Sequence, residues 1–215
     1  MAREEPSVPP LRGKIVAVSD SLTNDQPENW LALVAARSPA LKAVANAHGG
    51  WTTKSFFKEK FKDVAFARVP PDAAMFILLL GSNNLFEAQG GSDEAVAEAV
   101  AGIERLAAHL LGIAPRAEIV LAAPPTVALS KNVLPDPKPE RRMDTHTPQY
   151  LRRLSRAYRA LAARRGWRFV DLLPVLTEED FADAAHPNAA GNRKMADAVW
   201  AALTTQPRPA TISPR

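Results

Sequence analysis

A chain of 215 residues, 47% of them apolar, suits one compact domain that hides roughly 70% of its unfolded surface. It has no cysteine, which excludes disulfide frameworks, thiolate metal sites and cysteine nucleophiles. The formal charge of +4 raises nucleic acid as a partner, an idea that the placement of the arginines below decides.

Residues 1–12 mix Arg3, Glu4 and Glu5 with Pro6, Pro9 and Pro10, and no apolar stretch of signal-peptide length follows. A flexible tail is expected there, ahead of a single domain over residues 13–204. The longest apolar run, Met75 to Leu80, is far short of the roughly 20 residues of a membrane helix. The expectation is a soluble protein, cytoplasmic, or secreted where an export signal has been removed.

The first strand is Ile15 to Val18, entered from Gly13 and left at Ser19. A helix from Glu28 to Ala36 follows, and Leu41 to Ala47 is a weaker strand because its alanines have little β preference. Thr53 to Phe61 reads as a helix with Phe57 and Phe61 on one face. Met75 to Leu80 and Glu118 to Ala122 are strands. Between them lies the clearest helix, Asp93 to Leu111, with Ser92 as its cap, Asp93 and Glu94 at its positive end and Gly112 closing it. Val96, Val100, Ile103 and Leu110 form its buried stripe.

Residues 124–147 are proline-rich and aperiodic, so a long connection without structure of its own is expected, of the length that often forms a lid. A helix from about Pro148 to Arg165 places Leu151, Leu154, Tyr158 and Leu161 on one stripe and Arg152, Arg153, Arg156 and Arg159 on other sides. Those arginines read as a solvated face without aromatic stacking partners, so no nucleic-acid role is assigned. Gly166 stops that helix, Arg168 to Asp171 is the fifth strand, and Ala189 to Leu203 ends the fold. A second flexible tail is expected at 205–215. Strands alternating with helices imply a parallel sheet covered on both faces.

Parallel sheets gather ligands beyond the carboxyl ends of their strands. Four segments fall there: Ser19-Asp20-Ser21-Leu22-Thr23, His48-Gly49-Gly50-Trp51-Thr52, Gly81-Ser82-Asn83-Asn84, and Asp183-Ala184-Ala185-His186-Pro187-Asn188. Singly, each has an ordinary reading: Ser21 a helix cap, the glycines a turn, Asn83 and Asn84 loop residues, Asn188 a cap, Asp183 an answer to a helix dipole, His186 a surface histidine. In order, they resemble the blocks of the SGNH or GDSL hydrolases from Gly13 to Leu203. Ser19-Asp20-Ser21-Leu22 is similar to the Gly-Asp-Ser-Leu block, Gly50 to its glycine turn, Gly81 and Asn83 to Gly-x-Asn-Asp, and Asp183 and His186 to Asp-x-x-His. Ser19 stands where the family usually has glycine and Asn84 where it has aspartate, departures expected to lower or alter activity at most.

The resemblance implies a flavodoxin-like three-layer α/β/α sandwich with a central five-stranded parallel sheet. It also implies a carboxylic-ester hydrolase working through an acyl-serine on a small or short-acyl ester. The residue chemistry agrees. A serine hydroxyl needs a base to take its proton, and an imidazole suits that at neutral pH. His186 is that base for Ser21, with Asp183 orienting its ring. The amides of Ser21 and Gly50 and the side chain of Asn83 are expected to form the oxyanion hole, worth about 3–4 kcal/mol per donor.

Trp51, Asn84, Leu85 and Phe86 flank these blocks and are expected to line the substrate pocket, with core packing as the other reading. His48, beside the glycine turn, reads as a loop residue first. Metal-ligand spacing is absent, and no metal or cofactor is called for. Three alternatives share the same residues: a carbohydrate O-deacetylase, an acyltransferase, and a catalytically degenerate binding module.

Overall fold

A computed structural model describes residues 11–23, 28–131 and 143–205. The tails expected at 1–12 and 205–215 lie almost wholly outside these residues, as does the middle of the 124–147 connection. Two described residues do not belong to tails: Leu11 is buried in the core, and the last helix runs on to Thr205.

Five strands, β1 (Gly13–Ser19), β2 (Leu41–Ala47), β3 (Ala73–Leu79), β4 (Glu118–Ala123) and β5 (Arg168–Asp171), form one sheet in the order β2-β1-β3-β4-β5. All four pairings are parallel. This is the flavodoxin order, with its topological switch between β1 and β3. Period-two alternation splits the apolar residues between the faces. Val16, Val18, Phe76, Leu78 and Leu121 point one way, and Ile15, Ala17, Ile77, Leu79 and Val120 the other. The alanine-rich β2 lies at an edge, where its outward residues need not be buried.

The first face is covered by α3 (Asp93–Ile113) and α4 (Thr147–Arg165), the second by α1 (Trp30–Ala35) and α5 (Ala189–Thr205). Ser92 accepts from the Ala95 amide and caps α3, but Gly112 does not end that helix, which closes at Ala114. Its inward stripe is Ala95, Ala99, Ile103, Leu106, Ala107 and Leu110, while Val96 and Val100 pack at the flank. Half of that stripe is alanine, so it is set by fit as much as by hydrophobicity. The arginines of α4 pair at the surface: Arg153 with Asp93, Arg159 with Asp171 at 2.8 Å, Arg165 with Glu104 at 2.6 Å. Arg168 differs, being buried in β5 with its guanidinium 3.4 Å from Glu118.

Three local expectations are corrected. Thr53 to Phe61 is not one helix but two single 3-10 turns, Ser55–Phe57 and Glu59–Phe61, separated by extended Lys58. The Thr52 amide donates to Ser55 Oγ, and Phe57 and Phe61 pack against different rings. Second, Ser82–Glu87 is a short helix, α2, where a loop was expected. Third, the connection after β4 has structure of its own. It carries a 3-10 turn at Leu129–Lys131, buries Val127 and Ala128, and ties the Ala128 amide to the Ala184 carbonyl at 2.9 Å.

Gly81 joins β3 to α2 with φ at +116°, a conformation that L side chains rarely adopt. A Cβ there would lie 2.6 Å from Tyr158 Oη and 2.9 Å from Leu154 Cδ2, both buried on α4. Gly81→Ala is therefore expected to lower unfolding free energy by at least about 2 kcal/mol in urea titrations. Unchanged stability would show that β3 and α2 do not depend on that backbone geometry.

Candidate active site

The residues after β1 form a tight turn rather than the start of a helix. The Asp20 carbonyl accepts from the Thr23 amide, and Asp20 Oδ1 accepts from the Leu22 amide at 3.0 Å, an Asx turn that lifts Ser21 out of the strand. Ser21 does not cap α1, because Asn29 Oδ1 takes that role on the Ala32 amide. Trp30, wholly buried, pins the turn by donating its indole N–H to the Leu22 carbonyl at 3.2 Å and Thr23 Oγ1 at 3.0 Å.

The loop before α5 closes on itself. Phe181 and Pro187 form an antiparallel bridge, the Ala182 amide donates to the His186 carbonyl, and the Asn188 amide donates to the Asp180 carbonyl, both at 2.8 Å. Asp183 Oδ1 accepts from the amides of Ala185 and His186, and its Oδ2 lies 2.8 Å from His186 Nδ1. Burial pushes the Asp183 carboxyl up, but those two amides and the His186 ring outweigh it and hold it below its usual range. An ionised carboxylate only accepts, so Nδ1 carries the ring proton and Nε2 is left as an acceptor. Nε2 lies 2.9 Å from Ser21 Oγ. Asn188 Oδ1 caps α5 on the Gly191 amide.

Gly49 and Gly50 both sit in one turn, closed by the Trp51 amide on the His48 carbonyl at 3.1 Å. Gly50, at φ +73°, occupies the left-handed position that a type II turn reserves for glycine. The turn abuts the serine: a Cβ on Gly49 would lie 3.9 Å from Ser21 Cβ.

Asn83 is where the geometry is less simple than the sequence suggests. Its Nδ2 donates to Asp20 Oδ2 at 2.9 Å and to the Trp51 carbonyl at 3.1 Å, so both its hydrogens have protein partners. Ser82 Oγ donates to the same Asp20 oxygen at 3.3 Å. Asp20 is 1% exposed. Burial pushes its carboxyl up to about 6 against the pull of its hydrogen-bond donors and of His186. Sequence reading passed over Asp20 as part of a motif. The available signal was an acidic residue two positions after the apolar run Ile15–Val18, at the mouth of the strand.

The four expected pocket residues part company. Phe86, with Ser21, Leu22, Asn83, Pro125 and Val127, lines a cavity of about 20 Å³ beside the serine. Leu85 is instead buried in the core. Asn84 turns away to accept from the Thr53 amide and to donate to Thr53 Oγ1 and to Glu98 Oε1 at 2.8 Å. Trp51, half-buried, stacks with His48 at 3.9 Å and with Phe61 at 4.5 Å between ring centroids, with Phe56 edge-on. These ring contacts fix the orientation of the indole. Burial holds the stacked His48 below the usual histidine range. Among the described residues, no group of three or more His, Asp or Glu side chains is placed to hold a metal ion. No helix of the described residues is long and apolar enough to cross a membrane.

A three-layer α/β/α sandwich that brings serine, histidine and aspartate into one hydrogen-bonded row at the carboxyl edge of its sheet defines a hydrolase. The chain belongs to the GDSL-like lipase/acylhydrolase family, whose model matches residues 16–194. Compared with curated proteins, it gives no match. Among solved structures it is similar to a candidate arylesterase from Agrobacterium tumefaciens strain C58, at 24% identity and a TM-score of 0.66 over 89% of this chain and 97% of that one. The aryl esterase of M. smegmatis superposes with a TM-score of 0.63 at 19% identity, covering 87% of this chain and 96% of that one. A carbohydrate acetylesterase from Sinorhizobium meliloti gives 0.66 at 19%, covering 88% and 97%.

The buried Asp20 makes stability depend on pH in a definite sense. A carboxyl raised from 3.8 to about 6 costs the fold nothing below 3.8, increasingly more as pH rises toward 6, and a constant amount above. Asp20→Asn cannot carry the charge. Its stability relative to the parent is thus expected to be about 1–2 kcal/mol more favourable at pH 8 than at pH 5, read from urea unfolding at both values. Parallel stability curves for the two proteins would show that Asp20 does not titrate in this way.

Proposed function

We propose that the protein hydrolyses carboxylic esters of short acyl groups through an acyl-Ser21 intermediate. The observation that carries this reading is the row Asp183 Oδ2, His186 Nδ1, His186 Nε2 and Ser21 Oγ, with links of 2.8 and 2.9 Å. Ser21 Oγ attacks the ester carbonyl as its proton passes to Nε2, and Asp183 stabilises the imidazolium that forms. The carbonyl oxygen becomes an oxyanion, met by the amides of Ser21 and Gly50 and by Asn83 Nδ2, whose second hydrogen it shares with the Trp51 carbonyl. Collapse of the intermediate breaks the bond to the alkoxy oxygen, which takes the proton from His186 and leaves as the alcohol. Water, deprotonated by the same nitrogen, then attacks the acyl-serine and releases the acid.

The walls beside the serine support a small acyl group. A space of about 20 Å³ holds little more than one water or a methyl group, which supports acetyl as the acyl group. The fold neighbours named as aryl esterase and carbohydrate acetylesterase differ in the alcohol half of the ester.

Ser21→Ala and His186→Ala are each expected to lower kcat/KM for p-nitrophenyl acetate by at least about 10³-fold at pH 8. A Ser21→Ala protein that kept the parent rate would end the acyl-serine reading. Phe86→Ala deepens the cavity and is expected to shift preference from acetate toward butyrate esters by about 10-fold or more, measured as a ratio of kcat/KM values. An unchanged ratio would mean that the acyl group does not lie against Phe86.

A further inference from the structure

We propose that Asp20 is a positioning residue for this chemistry: its buried carboxylate fixes the Asn83 amide so that the NH2 end, not the carbonyl, faces the forming oxyanion. The inference rests on the ester reading above. A side-chain amide has nearly the same shape either way round, but the two ends act oppositely on an oxyanion. The NH2 end stabilises it and the carbonyl repels it. Something must choose between them.

Asp20 is equipped to choose. Three donors converge on its two oxygens: the Leu22 amide on Oδ1 at 3.0 Å, and Ser82 Oγ at 3.3 Å and Asn83 Nδ2 at 2.9 Å on Oδ2. A carboxylate only accepts, so turning the Asn83 amide over would set its carbonyl against a negative oxygen at hydrogen-bond distance. The Trp51 carbonyl favours the same orientation, but without a full charge. An amide at position 20 cannot replace the carboxylate. Its NH2 group would face either the Leu22 N–H or the Asn83 NH2, a donor against a donor.

The protein keeps this carboxylate although its burial destabilises the fold. Among the described residues, no lysine or arginine forms an ion pair with it. A costly buried charge beside a reactive serine is the pattern expected of a functional group. The groups facing it can be named from each side. The loop before α5 presents His186, whose ring favours the ionised carboxyl whenever it carries a proton on both nitrogens. From α4 comes Tyr158, a phenol that burial keeps neutral and whose hydroxyl donates to the Leu80 carbonyl. From α2 and the glycine turn come only the uncharged Ser82, Asn83 and Trp51 carbonyl. Protonation of Asp20 adds a donor to this set and removes the reason for the amide to stay as it is.

The test is a double-mutant cycle read with p-nitrophenyl acetate from pH 5 to pH 8. Asp20→Asn is expected to lower kcat at pH 8 by about 10–100-fold with KM within about threefold of the parent, as for an interaction made in the transition state. In an Asn83→Ala background the same substitution should cost less than about threefold, because its effect passes through Asn83. A kcat within threefold of the parent, or an equal loss in both backgrounds, overturns the proposal. Should Asp20→Asn not fold, the parent alone decides. An acid limb of log kcat/KM with slope above one, requiring loss of two protons, supports the clamp, and a slope of one down to pH 5 overturns it. Ser21→Ala run alongside separates the two readings. Activity surviving there sinks the ester mechanism itself, whereas loss there with none in Asp20→Asn sinks only the positioning role.

Discussion

The 2.9 Å hydrogen bond between His186 and Ser21 spans 165 positions of chain, and neither loop could hold that distance alone. Both are tied to the same buried point. Trp30 grips the serine turn through its indole N–H, while its backbone amide donates to Asn192 Oδ1 at 3.1 Å. Asn192, in the first turn of α5, donates back through Nδ2 to the carbonyls of Pro187 and Asn188, directly after the histidine. One tryptophan and one asparagine thus bridge the two loops on the side of the sheet covered by α1 and α5. Both residues are buried, so each bond is made where water cannot compete and losing a partner leaves an unpaired polar group.

The opposite side is held differently. Asn83 and Ser82 arrive from β3 through the left-handed Gly81, and the Gly49-Gly50 turn arrives from β2, so the site straddles the switch point between β1 and β3. At that crossing the buried Asp20 collects donors from its own turn and from α2. Solvent-like polarity is rebuilt from fixed groups, which require no reorganisation when charge develops. The destabilisation tolerated at Asp20 lies directly beside the half-buried Ser21, where the proposed chemistry would use it, an arrangement common where stability and activity compete.

What could be read in the sequence follows from how local each feature is. Strand alternation and the α4 and α5 stripes are properties of a few successive residues, and they appear in the structure with bounds that agree or shift by at most two positions. Ser21, Asp183 and His186 could be picked out because a serine, a carboxylate and an imidazole are residue types able to act together, and the structure places them in one hydrogen-bonded row. The misses depend on distant partners. Phe57 and Phe61 suggested one helix face, but Phe66 and Trp51 lie in different directions and pull the segment into two turns. Trp51 stacks with His48 and Phe61, partners that no local pattern announces. The α2 helix is six residues long, too short to show a period, and is held by Gly81 and the core rather than by its own propensity.

The two departures from the family pattern are resolved by neighbours that no motif includes. Ser19, where glycine is usual, donates its hydroxyl to the Leu79 carbonyl at 2.9 Å. Its extra atoms are satisfied by β3 instead of crowding the nucleophile. Asn84, where aspartate is usual, donates to the Glu98 carboxylate of α3. An aspartate there would set two carboxylates at hydrogen-bond distance, and one would have to take up a proton. Each departure is one half of a pair, which is why position-by-position comparison with a motif overstates what it costs the site.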